Sequence, residues 1–274
     1  MKILNIACGS RISPDTTHTW ENIDFSPLDN RVKKVNLLKR LPFSDNSFDV
    51  AYSSHFLEHL SKDNAIRFLS EVKRVLKVGG IVRIVVPDLE NAINEYIKIL
   101  NLLKANRGGQ NEYILQYDWI LVELFDQMIR MKSGGEMGKI LDNLADSHPS
   151  FQSYILERVG HNDSEAKQIS FFDKLTLDKI GNKALNMYLR CIRLLIPKSL
   201  RDEIFIQTSI GERHKWAYDE FSLTRILQLC GFVDCKRFTF NTSQIPEFHT
   251  FYLDNNKDST AYKGSSLYME CKKS

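Results

Sequence analysis

ILNIACGS, residues 3–10, is the stretch on which the fold reading of this chain turns. The apolar run Ile3–Ala7 stops abruptly at Cys8-Gly9-Ser10, the pattern of a short buried strand that ends in a tight turn. Working outward, Trp20–Phe25 (WENIDF), Val32–Leu37, Phe48–Ser53 (FDVAYS) and Ile81–Val86 (IVRIVV) read as four further strands. A helix is predicted from Lys62 to Lys77, where Ile66, Leu69, Val72, Val75 and Leu76 recur at helical spacing and Gly79-Gly80 closes the end. Strands joined by short crossovers point to a mostly parallel α/β sheet. The first crossover, SRISPDTTHT, is poor in helix formers and carries a proline, so a loop or a single turn is expected there.

Beyond Asp88 the character changes. Helical patterns over Asn91–Ala105, Tyr113–Met131, Gly138–Leu144 and Lys183–Ile196 follow with no convincing strand, which predicts a large helical insertion after the fifth strand. Tyr218–Leu229 is another amphipathic helix, ended by Gly231, and Phe232–Phe240 and Ser266–Lys272 read as two final strands. The expected organisation is a core of residues 1–89 and 212–274 around an insertion of residues 90–211 that acts as lid or acceptor subdomain.

Composition narrows the function classes. Of 274 residues, 43% are hydrophobic and 26% charged, ordinary for a globular protein. Lys+Arg 37 against Asp+Glu 34 leaves a net charge of +3, too small to suggest a nucleic-acid partner. The five cysteines (Cys8, Cys191, Cys230, Cys235, Cys271) are scattered without a C-x-x-C pair, arguing against a disulfide framework or zinc ribbon and for a reducing compartment. The first apolar stretch is too short for a signal peptide and no uncharged stretch reaches membrane-spanning length, so a cytoplasmic location is expected.

Gly9 stands where the first strand's carboxyl end meets a ligand crevice, and glycine lets the backbone approach a ligand closely. Asp24 ends the second strand, placed to accept both hydroxyl hydrogens of a ribose. Alone, the pair is equally a turn glycine and an exposed aspartate. The ordered series decides: LPFSDNSFDVAYSSHFLEHL (41–60), FLSEVKRVLKVGGIVRIVVPDL (68–89), HKWAYDEFSLTRILQLCGF (214–232) and SLYMECKK (266–273). With these, the sequence resembles the class I S-adenosylmethionine-dependent methyltransferases, type-11-like branch, whose members often act in sugar and surface-polysaccharide pathways. The resemblance covers residues 1–89 and 214–273. It implies a Rossmann-like, mostly parallel seven-stranded sheet whose last strand pair is partly antiparallel. It further implies S-adenosyl-L-methionine as cofactor and a small-molecule or glycan acceptor. Ala7, Cys8, Gly9 and Ser10 would line the methionine part and Asp24 the ribose. Asn36, Leu37 and Leu41 would lie about the adenine, and Ser53, Ser54 and His55 would face the sulfonium methyl. Ser10 and Arg11 stand where the family often has another glycine, and Asn36 where an acidic residue is common.

His55 is the candidate base or acceptor-positioning group, since a sugar hydroxyl is a weak nucleophile and histidine titrates in the useful range. His214 and Tyr218, where the insertion rejoins the core, are candidate acceptor contacts, Trp216 is read as packing, and Tyr117, Trp119, His148 and His161 are weaker acceptor candidates. The rival motif is HFLEH, matching H-x-x-E-H: on a helix, His55 and His59 would share a face and ligate zinc with Glu58 as base of a hydrolase. No third ligand is evident and the segment starts directly after a strand, so no metal ligand is assigned. A fold-retaining binding protein without turnover is the third class. Leu185, Tyr188, Leu189, Ile192, Leu195 and Ile196, flanked by Lys183, Arg190, Arg193 and Lys198, are read as a buried lid helix, with peripheral membrane contact as the alternative.

Overall fold

The computed structural model describes residues 1–27, 29–105, 111–160, 187–188, 192, 195–197 and 212–274. Seven strands form one sheet: β1 Lys2–Ile6, β2 Thr19–Asp24, β3 Val32–Lys34, β4 Phe48–Ser54, β5 Leu76–Pro87, β6 Phe232–Phe238 and β7 Ser266–Lys273. Their order is β3-β2-β1-β4-β5-β7-β6. All neighbours run parallel except β7, which is antiparallel to both β5 and β6. The helices of the described residues are α1 Lys62–Val75, α2 Leu89–Ala105, α3 Asn111–Ile129, α4 Gly135–Asp142, α5 Pro149–Val159 and α6 Glu220–Leu229.

Alternation along the strands builds two apolar layers. Leu4, Ile6, Ala51, Ile84, Val86 and Met269 face α1 and α6, which contribute Phe68, Leu69, Val72, Leu223 and Leu227. Ile3, Val50, Tyr52, Val85 and Tyr268 face the other way and meet Ile245, Phe248, Phe251 and Leu253. A segment between β6 and β7 thus covers the face of β1 that a crossover helix would have covered, and residues 10–18 are the expected loop. Arg83 of β5 anchors this cover: its guanidinium meets Asp254 at 2.7 Å, Glu270 at 2.6 Å, and the carbonyls of Thr239 and Thr242.

Four expectations need correction. Gly79-Gly80 does not close α1: Leu76 is already extended and pairs with Phe48, and the ladder resumes only at Ile81 opposite Val50. The glycines serve that bulge, where a Cβ on Gly80 would lie 2.8 Å from the Lys77 carbonyl oxygen. β3 stops at Lys34 because the side-chain oxygen of Asn36 accepts the Leu38 N–H and Leu37 turns into the core. α5 was not anticipated. Cys235 and Cys271 are joined as a disulfide across β6 and β7, with Cα atoms 4.2 Å apart, a partnership made by antiparallel register between residues 36 apart in sequence.

α2 packs on α3 through Ala92, Ile99 and Ile120, and α3 on α5 through Trp119, Phe151 and Ile155. Of the expected lid stripe, Tyr188 (62% exposed) and Leu195 (84% exposed) are not buried, whereas Lys183, Leu185, Leu189, Arg190, Arg193 and Lys198 lie outside the described residues. No helix among the described residues is long and apolar enough to cross a membrane.

Candidate active site

Because β1 lies between β2 and β4, the carboxyl ends of these three strands share one edge. There the backbone of Ala7 (φ 56), Gly9 (φ 52) and His55 (φ 51) adopts left-handed conformations, a costly geometry that clusters at ligand sites. The Gly9 N–H donates to Asp24 Oδ2 at 2.9 Å and the Ser26 N–H to Oδ1 at 2.8 Å, fixing the carboxylate with lone pairs to spare. Nothing lies within 4 Å of the point where a Cβ of Gly9 would be, so the turn opens onto free space. Cys8 is sealed below it, its thiol pushed up to about 12 by burial and by Asp24. Ser10 is exposed. The loop behind is locked by Arg11, which reaches the carbonyls of Leu253 and Asn255 and stacks on Tyr262. Ser53 is buried and its hydroxyl finds no hydrogen-bond partner, while Ser54 is half-buried.

These features fit an adenosyl-sulfonium cofactor: an open turn over a backbone cradle, a fixed carboxylate at the second strand's end, and an orphaned buried hydroxyl facing the same edge. The adenine contacts need revision. Leu37 and Leu41 belong to the hydrophobic core, leaving exposed Asn36 with Phe25 and Leu38 as the groups accessible at the ends of β2 and β3.

One strand further along the edge lies a cavity of about 250 Å³. His55, Pro87, Asp88 and Ser265 from the sheet edge form one wall. α2 to α5 form the other, with Ala92, Glu123, Gln127, Met137 and Arg158 among the lining residues. Glu58, His214, Trp216 and Lys263 complete it. Arg158 holds Glu123 through two contacts of 2.6 and 2.7 Å. The end of α5 is docked by close approach, since a Cβ on Gly160 (φ 80) would sit 1.8 Å from the Tyr262 carbonyl oxygen.

HFLEH is not a helix face. His55 directly follows β4, and Leu57–His59 form a single 3-10 turn, so His55 and His59 do not stand in helical i, i+4 relation. Instead Glu58, 1% exposed, is surrounded by three imidazoles: His55 Nδ1 at 3.4 Å, His59 Nε2 at 3.9 Å and His214 Nε2 at 3.9 Å. Neither carboxylate oxygen has a hydrogen-bond partner. His55 Nε2 meets the Ser266 hydroxyl at 3.0 Å. Burial pushes His55 down to about 4, with Lys263 adding repulsion, and burial likewise takes His214 to about 4. Burial would raise Glu58, but His55, His59 and His214 hold it at about 2. At neutral pH the Glu58 carboxylate therefore faces the uncharged rings of His55 and His214.

His214 lines the cavity as expected. Tyr218 does not: it is 2% exposed, in the core, with its hydroxyl unpartnered. Trp216 lines the cavity with the Lys62 ammonium 3.8 Å over its ring. Trp119 is buried between helices, Tyr117 packs on Tyr96, His148 is the exposed N-cap of α5, and His161 lies outside the described residues. Lys263, Glu123 and Arg158 were missed, and Glu58 was named only as the base of the rival hydrolase reading. For Arg158 a signal existed, because Pro149 at a helix start and Gly160 just past its end bracket a helix with Phe151 and Ile155 on one face.

The family described as a methyltransferase domain matches residues 12–84. An uncharacterized protein of Methanocaldococcus jannaschii is 30% identical over 103 residues, 35% of this chain and 44% of that protein. Ribosomal RNA-processing protein 8 of Dictyostelium discoideum is 27% identical over 157 residues, 54% of this chain and 38% of that protein. The chain thus spans less than half the length of these curated relatives. An S-adenosylmethionine-dependent methyltransferase structure from Archaeoglobus fulgidus is 13% identical, with 99% of this chain and 85% of that one covered at a TM-score of 0.41. The family match over residues 12–84 and the strand order, rather than that superposition, are what the chain shares with methyltransferases: this part of it is similar to a methyltransferase domain.

Proposed function

We propose that this enzyme methylates a small polar acceptor, a sugar hydroxyl or amine, held in the cavity beside His55. The observation that carries the reading is that His55 belongs to both places, directly following the strand next to β1 and lining the cavity. Residues 1–89 and 212–274 hold the donor-binding core, and described residues between Ala92 and Val159 supply the far wall of the acceptor site. Gly9, Asp24, Phe25 and Leu38 would hold S-adenosylmethionine, which would supply an electrophilic methyl group.

The protein's share is alignment and water exclusion. Met128, Met137, Leu124 and Val159 give the cavity an apolar lining, while Gln127, Lys263 and His214 orient the acceptor's polar groups. Of the base and acceptor-positioning roles expected of His55, burial, which takes it down to about 4, favours the second: its ring nitrogen, released from Ser266, hydrogen-bonds the acceptor and holds it in line. The sugar-pathway setting rests on the sequence resemblance alone.

The test is methyl transfer from labelled S-adenosylmethionine to a panel of nucleotide sugars, free sugars, amino sugars and ribosomal RNA. Label in a sugar or amine, at least tenfold lower in His55→Ala, supports the reading. Label confined to RNA, the substrate class that the second relative's name suggests, contradicts it.

A further inference from the structure

We infer that Glu58, His59 and His214 form a binding site for one divalent transition-metal ion in the wall of the acceptor cavity. Five carboxylates are buried among the described residues: Glu58, Asp88, Asp126, Asp254 and Glu270. Four of them hold a guanidinium: Asp88 that of Arg237, Asp126 that of Arg130, and Asp254 and Glu270 that of Arg83. Glu58 is the exception: no lysine or arginine of the described residues makes a direct ion pair with it, the Lys263 ammonium of the cavity wall acts on it only through space, and both oxygens lack a hydrogen bond. A buried carboxylate left this way is costly unless a cation completes it.

The surroundings are those of a ligand set. One oxygen of Glu58 and one nitrogen each of His59 and His214 lie within 4.8 Å of one another. Ligands about 2.05 Å from a tetrahedral centre stand ~3.3 Å apart, so the two 3.9 Å separations close by about half an ångström each and the separation of the two imidazole nitrogens, within 4.8 Å, by at most about 1.5 Å. The outer contacts are already in place. His59 Nδ1 lies 3.2 Å from the Arg213 carbonyl oxygen, which accepts its N–H and turns the Nε2 lone pair toward Glu58. The Glu58 carbonyl accepts the N–H groups of Lys215 and Trp216, and the His214 N–H donates to the Gln127 carbonyl, so the two halves of the set are tied by backbone. Two imidazoles and one carboxylate suit zinc, iron, cobalt or manganese rather than calcium or magnesium. Glu58 and His214 line the cavity, so open coordination positions face the acceptor, whose oxygen would complete the shell. That last role rests on the proposed methyltransferase acceptor site, whereas the metal site does not.

The experiment is a cobalt(II) titration, read by visible absorption, of chelator-stripped protein carrying no histidine tag. Expected are one cobalt per chain, displacement by zinc, and affinity weakened about 100-fold or more in His59→Ala, His214→Ala and Glu58→Gln. His249→Ala, an exposed histidine outside the cluster, should leave the titration unchanged. No cobalt spectrum in the wild type, or equal binding in all variants, overturns the inference. Glu58→Gln keeps the side-chain shape and serves where a histidine variant fails to fold. Thermal stabilisation by S-adenosylhomocysteine in the same samples separates the two claims. Stabilisation without cobalt binding removes the metal site alone, and cobalt binding without stabilisation removes the methyltransferase reading alone.

Discussion

Arg83 and Glu58 are both charged and both essentially sealed from solvent, at 0% and 1% exposure, yet their surroundings are opposites. Arg83 has two carboxylates, two backbone carbonyls and the Phe248 ring 4.4 Å beneath its guanidinium, and Tyr52 donates at 2.5 Å to Asp254, one of those carboxylates. Glu58 has three imidazoles at 3.4 to 3.9 Å and no hydrogen bond. The first cluster fastens the cover over the back of the sheet. The second opens on a cavity. Burial alone does not separate the two: the fully paired cluster rigidifies the scaffold, whereas the carboxylate without a hydrogen bond lies at a cavity.

The contrast breaks most readily at Arg83. Arg83→Met strands Asp254 and Glu270 in the interior and should cost about 3–5 kcal/mol in urea unfolding. A loss below ~1 kcal/mol would mean that the cover is held by its apolar contacts instead. Gly160→Ala comes next. Its methyl group meets the Tyr262 carbonyl, so a loss of about 1–3 kcal/mol is expected, together with faster proteolysis at the end of α5. The smallest effect sharpens the comparison. Glu58→Gln in metal-free protein should cost only about 1 kcal/mol at neutral pH, because the neighbouring imidazoles that hold the Glu58 carboxyl at about 2 favour its charged form, and that loss should fade as pH falls through the carboxylate range. A fall comparable with Arg83→Met would place Glu58 in the scaffold.

What the sequence disclosed follows from range. Ile3–Ala7, Gly9 and Asp24 are legible because strand, turn and carboxylate are local patterns with a fixed chemical sense. The sheet's neighbours follow from short crossovers. Arg83 inside IVRIVV gives no hint of Asp254 or Glu270, and HFLEH misleads because a helix is assumed where a left-handed residue directly follows β4 and a 3-10 turn comes next. His214, the third imidazole, comes from the far side of the helical region, so only folding brings it to Glu58. Cys235 and Cys271 escape notice for the same reason. Leu37 and Leu41, read as cofactor neighbours, were claimed by the core beneath the end of β3.

The central claim is that Gly9 and Asp24 at the carboxyl edge of the sheet hold the methyl donor. Titration calorimetry with S-adenosylhomocysteine tests it most directly. The account predicts one site per chain, with Asp24→Ala weakening binding about 10- to 100-fold, the scale of lost hydrogen bonds to a charged group. No measurable heat at millimolar ligand, or undiminished affinity in Asp24→Ala, would contradict it.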